Sequence, residues 1–256
     1  MLRWIDDRMP LPPPEAALGA DTEVPGLLAA GGRVTPARLR EAYPQGIFPW
    51  YSEGQPVLWW SPDPRMVLHT AEFHLSRNLK KAIRRFVRTP GCEIRFDSAF
   101  EQVIAACAGT PREGQDGTWI VPEIQRAYAA AHREGFVHSA ETWVDGRLVG
   151  GLYFVALGRM CFGESMFAHR TDASKIALAA FVAACRVRGV AMIDCQQNTG
   201  HLASFGAREI PRRDFLAHVA RATADLGNPP PAEWSYDEKA WALVMPPAVA
   251  EPTTLP

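Results

Sequence analysis

Residues 136–157 constrain the fold of this chain more than any other stretch. Two alternating runs, Phe136 to Val144 and Arg147 to Leu157, flank an Asp145-Gly146 pair. Asp-Gly supplies the positive φ angles that a two-residue hairpin turn needs, so the segment predicts two long antiparallel strands. A third strand, Arg159 to Phe167, follows immediately. Asp172 then stands as N-cap of a long helix, Ala173 to Arg188, with Ile176, Leu178, Ala179, Phe181, Val182 and Cys185 on its apolar face and Gly189 closing it. Gly150-Gly151 sits inside the second strand, which predicts a bulge or the close approach of a ligand.

After that helix comes a short apolar run ending in a polar mouth, Ile193-Asp194-Cys195-Gln196-Gln197-Asn198. It reads as a buried strand. Alternation puts Asp194 and Gln196 on one face and Cys195 on the other. A carboxylate beside an amide at the carboxyl end of a buried strand is a common place for chemistry in α/β folds. The competing reading is structural: Asp194 caps the next helix and Gln196 satisfies buried backbone. Glu164, a lone acid in the apolar third strand, needs either a salt-bridge partner or a function.

Bulk properties exclude several classes. With 47% hydrophobic and 21% charged residues, the 256-residue chain has material for a large core and is not globally disordered. Its 27 basic and 28 acidic residues nearly cancel, so any polyanion contact must be local. The odd number of widely spaced cysteines (Cys92, Cys107, Cys161, Cys185, Cys195) predicts neither a disulfide framework nor a zinc knuckle. Charges at the N-terminus interrupt any signal-peptide core, and the apolar run Ile176 to Cys185 is too short to span a bilayer. A soluble, cytoplasmic protein is expected.

Residues 10–64 are rich in proline and glycine yet carry tryptophans, including Trp50, Trp59 and Trp60. Thr35 and Pro36 predict one helix there, through Tyr43 to a stop at Pro44, with the rest irregular. The tryptophans either present aromatic faces to a ligand or staple this lobe to the main core. A first strand of the main domain is predicted at Arg65 to His69. Then comes a helix with Leu79, Ile83 and Phe86 on one face and Arg77, Lys80, Lys81, Arg84, Arg85 and Arg88 concentrated away from it. No acidic residue interrupts this stripe, which favours phosphate contact over a merely solvated face. Cys92 to Phe96 predicts a strand, and Asp97 or Ser98 starts a helix through Cys107. A polar loop, Gly109 to Gly117, delivers Trp119 as either clamp or core anchor, and Pro122 opens a helix ending near Gly135. A short helix over 201–206 and a last one from Pro211 follow, and after Gly227 the chain is proline-rich and weakly patterned.

The sequence holds no phosphate loop, dinucleotide fingerprint, HExxH or serine elbow. His132 and His138 fall across a helix end and a strand, a poor pattern for metal ligands. Cys195 has no basic group beside it to favour a thiolate. The enzymatic option left is a cofactor-free mechanism based on positioning.

Several segments together carry a specific resemblance. Pro-Gln-Gly-Ile-Phe-Pro-Trp (44–50), Trp-Trp-Ser-Pro-Asp-Pro-Arg (59–65), Gly-Thr-Trp-Ile (117–120), Cys-Phe-Gly-Glu-Ser-Met-Phe (161–167), Ala-Ser-Lys-Ile-Ala-Leu (173–178), Ile-Asp-Cys-Gln (193–196) and Glu-Ile-Pro-Arg-Arg-Asp (209–214) resemble the bacterial leucyl/phenylalanyl-tRNA–protein transferase family, in its order. The family moves Leu or Phe from tRNA to an N-terminal Arg or Lys of a protein, which marks that protein for degradation. The resemblance implies an α+β fold: a small, irregular N-terminal domain (1–64) and a domain like the GCN5-related acyltransferases with a mixed sheet flanked by helices (65–232), with the proline-rich tail (233–256) outside the stretch that carries it.

It also implies roles. Asp194 and Gln196 match the catalytic pair, with Gln196 positioning the incoming amine and Asp194 orienting the amide and favouring proton removal. Glu164 would attract the acceptor's cationic side chain. Leu152, Met166, Leu178, Phe181 and Ile193 match the aminoacyl pocket, which would admit Leu, Phe or Met and reject β-branched side chains. Cys161 stands where the family is often aromatic. Tyr43, Trp50, Trp119 and Tyr128 resemble the aromatic groups around the terminal adenosine. Arg77, Lys80, Lys81, Arg84, Arg85 and Arg88 become the tRNA phosphate contact. No cofactor or metal is implied, and the partners are Leu-tRNA or Phe-tRNA and a protein acceptor, with the enzyme acting as a monomer.

Two alternatives are weighed beside this. Another GCN5-type acyltransferase, using a pantetheine thioester, would carry a Gly-rich loop before the long helix, where this chain has His169-Arg170-Thr171-Asp172-Ala173-Ser174. A non-catalytic RNA-binding protein would use the basic helix and tryptophans alone, and Asp194 and Gln196 would then be dispensable.

Overall fold

The structure, a computed structural model, describes residues 2–110, 118–224 and 233–245. The N-terminal lobe holds β1 (Arg3–Ile5), β2 (Leu27–Gly31), α1 (Pro36–Ala42), β3 (Phe48–Pro49) and β4 (Leu58–Trp60). Thr35 caps α1 as its composition suggests, its side chain accepting from the Arg38 amide. The rest of the lobe is less irregular than expected, because its four strands form a sheet in the order β1-β2-β4-β3. Two of its tryptophans are staples: Trp59 Nε1 donates to the Gly31 carbonyl at 3.1 Å and Trp60 Nε1 to the Trp50 carbonyl at 2.7 Å.

The main body runs β5 (Arg65–His69), α2 (Arg77–Phe86), β6 (Cys92–Phe96), α3 (Phe100–Ala108), α4 (Pro122–Arg133), β7 (Val137–Val144), β8 (Arg147–Leu157), β9 (Met160–Ala168), α5 (Ala173–Val187), β10 (Met192–Gln196), α6 (Gly200–Ala203), β11 (Arg208–Ile210), α7 (Arg212–Ala222) and α8 (Trp241–Val244). Seven strands make one mixed sheet in the order β11-β5-β10-β9-β8-β7-β6. The Asp145-Gly146 turn joins β7 to β8 as predicted, and both residues have positive φ. The crossover through α5 makes β10 parallel to β9, while β5 pairs with β10 antiparallel.

Strand alternation divides the core. Leu152 and Phe154 join one apolar cluster with α2, α5 and residues 234–244, whereas Tyr153 and Val155 join a second with α3, α4, α7 and the N-terminal sheet. The two clusters therefore lie on opposite faces of the seven-stranded sheet. The N-terminal sheet shares the second cluster and, among the described residues, has no core apart from it.

Several local expectations are corrected. β11 was not foreseen, since three residues are too few to show a period. α3 begins at Phe100, because Asp97 has φ 55° and turns its carboxylate to Ser139 and His138. Asp172 holds the N-cap position of α5 but does not cap it; it lies in the left-handed region and its carboxylate accepts from Lys175 at 2.9 Å. A bulge does occur near Gly150, but the close approach there is by protein. A Cβ at Gly150 would lie 2.5 Å from the Ala173 side chain and 2.7 Å from its backbone, so glycine lets α5 seat on the sheet. Most of the predicted Gly109–Gly117 loop, from Pro111 on, lies outside the described residues. The described part of the tail, 233–245, folds back on α5 with Trp234 and Trp241 buried.

Candidate active site

Two β-bulges on adjacent strands build the site. On β9 the register with β8 slips between Tyr153 and Phe154, which leaves Glu164 opposite no residue. On β10 the register with β5 slips between Asp194 and Gln196, which leaves Cys195 unpaired, and Gln196 has φ 61°. Bulges re-aim side chains, and a positive φ in a non-glycine residue is held only by its surroundings. Simple alternation therefore fails at the very end of β10. The result is a contact between neighbouring strands: Gln196 Nε2 donates to Glu164 Oε1 at 3.1 Å.

Glu164 is the hub of a polar cluster. Tyr43 Oη donates to its Oε1 at 2.7 Å, and Tyr128 Oη lies 3.3 Å from Oε2 and against the Tyr43 hydroxyl. Burial pushes the Glu164 carboxyl up from 4.5 to about 7; the Tyr43 bond opposes the rise, nearby Asp194 adds to it, and bonds from Gln196 and Tyr128 oppose it. Burial, reinforced by Glu164, pushes both phenols well above their ordinary range, so both are neutral hydroxyls. A carboxylate accepts only, so it is the Gln196 nitrogen that faces it and the amide oxygen is the acceptor left over.

Asp194 does different work from the role expected of it. Its Oδ1 accepts from Arg65 Nε at 2.8 Å and its Oδ2 from Arg65 Nη2 at 2.7 Å, and both side chains are wholly buried. Oδ1 also accepts the backbone N–H of Gln196 at 2.9 Å. Asp194 thus holds the main chain at Gln196, while the side-chain amide is oriented by Glu164. Both oxygens of the carboxylate are taken up by the guanidinium fork. Neither does Asp194 cap the following helix, which takes its cap from Thr199.

Arg65 is the residue of this cluster to which the sequence reading gave no role. Its Nη1 donates to the Gly46 carbonyl at 3.0 Å, and the rings of Phe48 and Phe215 face its guanidinium at 4.8 and 4.6 Å. Segments 44–50, 59–65 and 193–196 therefore converge on one ion pair, packed by Phe215 just past 209–214. Arg212 fastens the connection, its Nη1 donating to the Ser61 carbonyl at 2.6 Å and its backbone N–H to Asp63 at 3.0 Å. The available signal was a single arginine opening an apolar strand, the same signal that singled out Glu164.

The other anticipated residues divide clearly. Leu152, Leu178, Phe181 and Ile193 belong to one buried cluster and Met166 packs against it, so the five are brought together on the α5 face of the sheet. Cys161 and Cys195 join that cluster as well, and burial pushes the Cys195 thiol far up, away from a nucleophile's range. Tyr43, Trp119 and Tyr128 lie in the cluster on the opposite face, and Trp50 packs against it. Tyr43 and Tyr128 are fully buried, so neither offers a ring face to an incoming base; their hydroxyls serve Glu164. Trp119 is buried and Trp50 half-buried, edge-on to Trp60 at 5.5 Å between centroids.

On α2, Arg77, Lys81, Arg84 and Arg85 are exposed and Lys80 is partly so, with Arg88 exposed just beyond; none forms an ion pair with a described residue. Lys81, Arg85 and Arg170 line a groove of about 510 Å³ between α2 and the start of α5. His132 and His138 do meet, together with Asp97. Both Asp97 oxygens are engaged, by the Ser139 amide and by His138 Nδ1, and His132 Nδ1 contacts the Val137 carbonyl at 2.8 Å. These bonds describe a hydrogen-bonded cluster. Among the described residues, no helix is long and apolar enough to cross a membrane.

The sequence pattern of the leucyl/phenylalanyl-tRNA protein transferase family matches residues 67–220, and that of the family's N-terminal domain matches 32–63. A leucyl/phenylalanyl-tRNA--protein transferase of Leptothrix cholodnii is 62% identical over 245 residues, 94% of each chain. One from Methylibium petroleiphilum is 64% identical over 232 residues, 91% of this chain and 86% of the relative. Among solved structures, a GCN5-related N-acetyltransferase from Kribbella flavida is a remote match, with a TM-score of 0.36 at 12% identity over 70% of this chain and 61% of its own. With its site motifs converging on one polar cluster and this identity along nearly its whole length, the chain belongs to the leucyl/phenylalanyl-tRNA protein transferase family.

Proposed function

We propose that this protein is an aminoacyltransferase that moves leucine or phenylalanine, and also methionine, from aminoacyl-tRNA to the α-amine of a protein that begins with Arg or Lys. Family membership supports the transfer itself. The observation that carries the site assignment is the Gln196–Glu164 contact at the bulged ends of β9 and β10.

The chemistry needs little from the protein beyond placement. The acceptor nitrogen attacks the ester carbonyl, the C–N bond forms, the C–O bond to the terminal ribose breaks, and the amine's proton ends on the departing hydroxyl. A free α-amine with a pKa of about 8 already has a neutral fraction near pH 7. Holding it against the ester then supplies much of the rate, as effective molarities for oriented reactants reach about 10⁵–10⁸ M. Gln196 accepts a hydrogen bond from that amine through its free oxygen, with Glu164 fixing the amide and Asp194 with Arg65 fixing its main chain. Glu164 also draws in the cationic side chain of the acceptor, whose charge favours the ionised carboxylate.

Leu152, Met166, Leu178, Phe181 and Ile193 form the slot for the donor side chain, and Met166 lends it adaptability. Trp50, with Trp119 in the same apolar cluster, receives the terminal adenosine, a stacking worth about 1–3 kcal/mol per base. The basic face of α2 holds tRNA phosphates without reading sequence. The protein acts as a monomer in the cytoplasm, where charged tRNA is present, and marks its acceptor for degradation.

The deciding experiment offers labelled Leu-tRNA to peptides that begin with Arg, Lys or Ala. Label must reach the first two and not the third. Transfer to all three alike, or to none while tRNA is bound, sinks the proposal.

A further inference from the structure

The segment 233–245 lies beyond both stretches matched by the family patterns, which end at residue 220. It nevertheless packs into the same apolar cluster as Leu152, Leu178, Phe181 and Ile193. Trp234 is among its buried residues, only 6% exposed. The indole meets the ring of Phe154 edge-on at 4.7 Å and that of Phe181 at 5.8 Å between centroids, and these two phenylalanines lie 4.1 Å apart. Phe96 stacks on it at 6.0 Å, and the Arg188 guanidinium sits 4.3 Å from its centroid. Arg188 also ties the segment down, donating from Nη1 to the Glu233 carbonyl at 3.0 Å. The indole is thus clamped on several sides and faces the Phe154–Phe181 pair.

Seating is not uniform along the segment. A cavity of about 300 Å³ lies between it and α5, lined by Ala180, Ala183, Ala184, Trp234, Tyr236 and Trp241 among others. Behind Phe181 there is indole; one turn further along α5 there is space. Phe181 therefore has somewhere to go if the indole is removed. In a dense interior, a ring with no neighbour behind it loses its contacts and shifts.

We infer that Trp234 is a specificity-determining positioning residue: it acts through Phe154 and Phe181 to fix the depth of the slot that takes the donor amino acid's side chain. This rests on the aminoacyl-pocket reading proposed above. Trp234 touches no reacting atom, and its influence is on which donor fits. With the indole in place, the far wall stands at a set distance from the ester. Without it, Phe181 withdraws toward the cavity and the slot lengthens, which favours the larger phenylalanyl group over leucyl. Apolar pockets discriminate by roughly 10–200-fold for changes on this scale.

The test measures kcat/KM for Phe-tRNA and Leu-tRNA with one Arg-initiated peptide, in wild type, Trp234→Ala, Trp234→Phe and Phe181→Ala. Binding of uncharged tRNA and the melting temperature are recorded alongside. The expected result is a rise in the Phe-to-Leu ratio of about tenfold in Trp234→Ala, with partial return in Trp234→Phe and unchanged affinity for uncharged tRNA. If Trp234→Ala does not fold, Trp234→Leu and Trp234→Phe give the same reading in milder form. A purely structural role lowers both donors equally; an unchanged ratio beside a changed one in Phe181→Ala overturns the inference and leaves the pocket reading standing. An unchanged ratio in Phe181→Ala removes the pocket reading and the inference with it.

Discussion

Arg65 and Asp194 are joined through two hydrogen bonds of 2.8 and 2.7 Å with neither side chain reachable by solvent, and Asp194 uses the same Oδ1 to hold the backbone of Gln196. The pair therefore couples stability to the position of the proposed amine-binding amide. Desolvating two charges is costly, so the pair by itself adds little to stability, but removing one partner strands the other.

Asp194→Asn should accordingly cost about 3–5 kcal/mol, because it leaves the Arg65 guanidinium buried without an anion. In a chain of this length that is a fall in melting temperature of roughly 6–20 °C. The double variant Arg65→Met with Asp194→Leu should regain much of the loss, since it buries apolar groups instead, yet transfer should stay low because Gln196 has lost its main-chain anchor. Thermal melts of the three proteins check this, and an Asp194→Asn protein as stable as wild type contradicts it.

Gln196→Ala should slow transfer by on the order of 100-fold or more at saturating donor while leaving tRNA affinity intact, since it removes an amine-positioning acceptor and no phosphate contact. Gln196→Glu should not restore it, because a second carboxylate would face Glu164 at about hydrogen-bond distance and one of the two would take up a proton. Single-turnover rates with pre-bound Leu-tRNA separate this from a binding defect. A rate within twofold of wild type in Gln196→Ala assigns the positioning elsewhere.

Much of this was legible in the sequence. The hairpin and crossover-helix succession places β8, β9 and β10 side by side, and an Asp-Gly turn and a two-period pattern are local enough to read. Glu164 and Gln196 were visible as polar residues in apolar strands. Their contact was not, because it depends on two bulges whose register slips are settled by pairing between strands, not by either strand alone. Arg65 was hidden for a similar reason: its partner is 129 positions away. Tyr43 and Tyr128 were singled out as rings, whereas their hydroxyls face the site, a distinction that only the packing of α1's end against α4 makes. The fold of 233–245 was obscured by proline and short elements, which carry no period.

The carboxyl of Glu164 predicts a pH effect with a definite sign. Its folded value is raised from 4.5 to about 7, mainly by burial, so the folded protein binds the extra proton between those limits and the unfolded chain does not. This contribution to stability is complete below about 4.5 and is lost as pH climbs through about 7. Glu164→Gln cannot titrate, so its melting temperature should gain on wild type from pH 5 to 8. In activity the ionised form is the useful one. The wild-type to Glu164→Gln ratio of kcat/KM for an Arg-initiated peptide should therefore fall as pH drops from 8 to 6, and titration of the acceptor amine cancels in that ratio. A ratio flat across this range would show that Glu164 does not meet the acceptor's charge.

Tyr43→Phe tests the hub from the other side. The Tyr43 hydroxyl stabilises the ionised form of Glu164, so its removal should move the midpoint of that activity ratio to higher pH and raise KM for the Arg-initiated peptide near neutrality. The Phe ring fills the same buried space, so the fold should survive. If Tyr43 instead stacked on the terminal adenosine, the Phe variant would keep a usable ring and the midpoint would not move.

The basic face of α2 should behave as a row of phosphate contacts. Neutralising one phosphate releases about one condensed counterion, so removing a contact by Arg84→Ala or Arg85→Ala should reduce the salt slope of tRNA affinity by about 1 and weaken binding equally for the leucine and phenylalanine tRNAs. The two positions differ in setting. Arg85 lines the groove between α2 and α5 together with Lys81 and Arg170, whereas Arg84 does not line it. A backbone track along the outer face of α2 makes Arg84 the more costly loss; a track through the groove makes Arg85 and Arg170 costly together. Rates at saturating tRNA should stay near wild type in each variant, because none touches Glu164 or Gln196. Affinity titrations at several salt concentrations give the slopes directly, and slopes unchanged in every variant remove α2 from the tRNA contact.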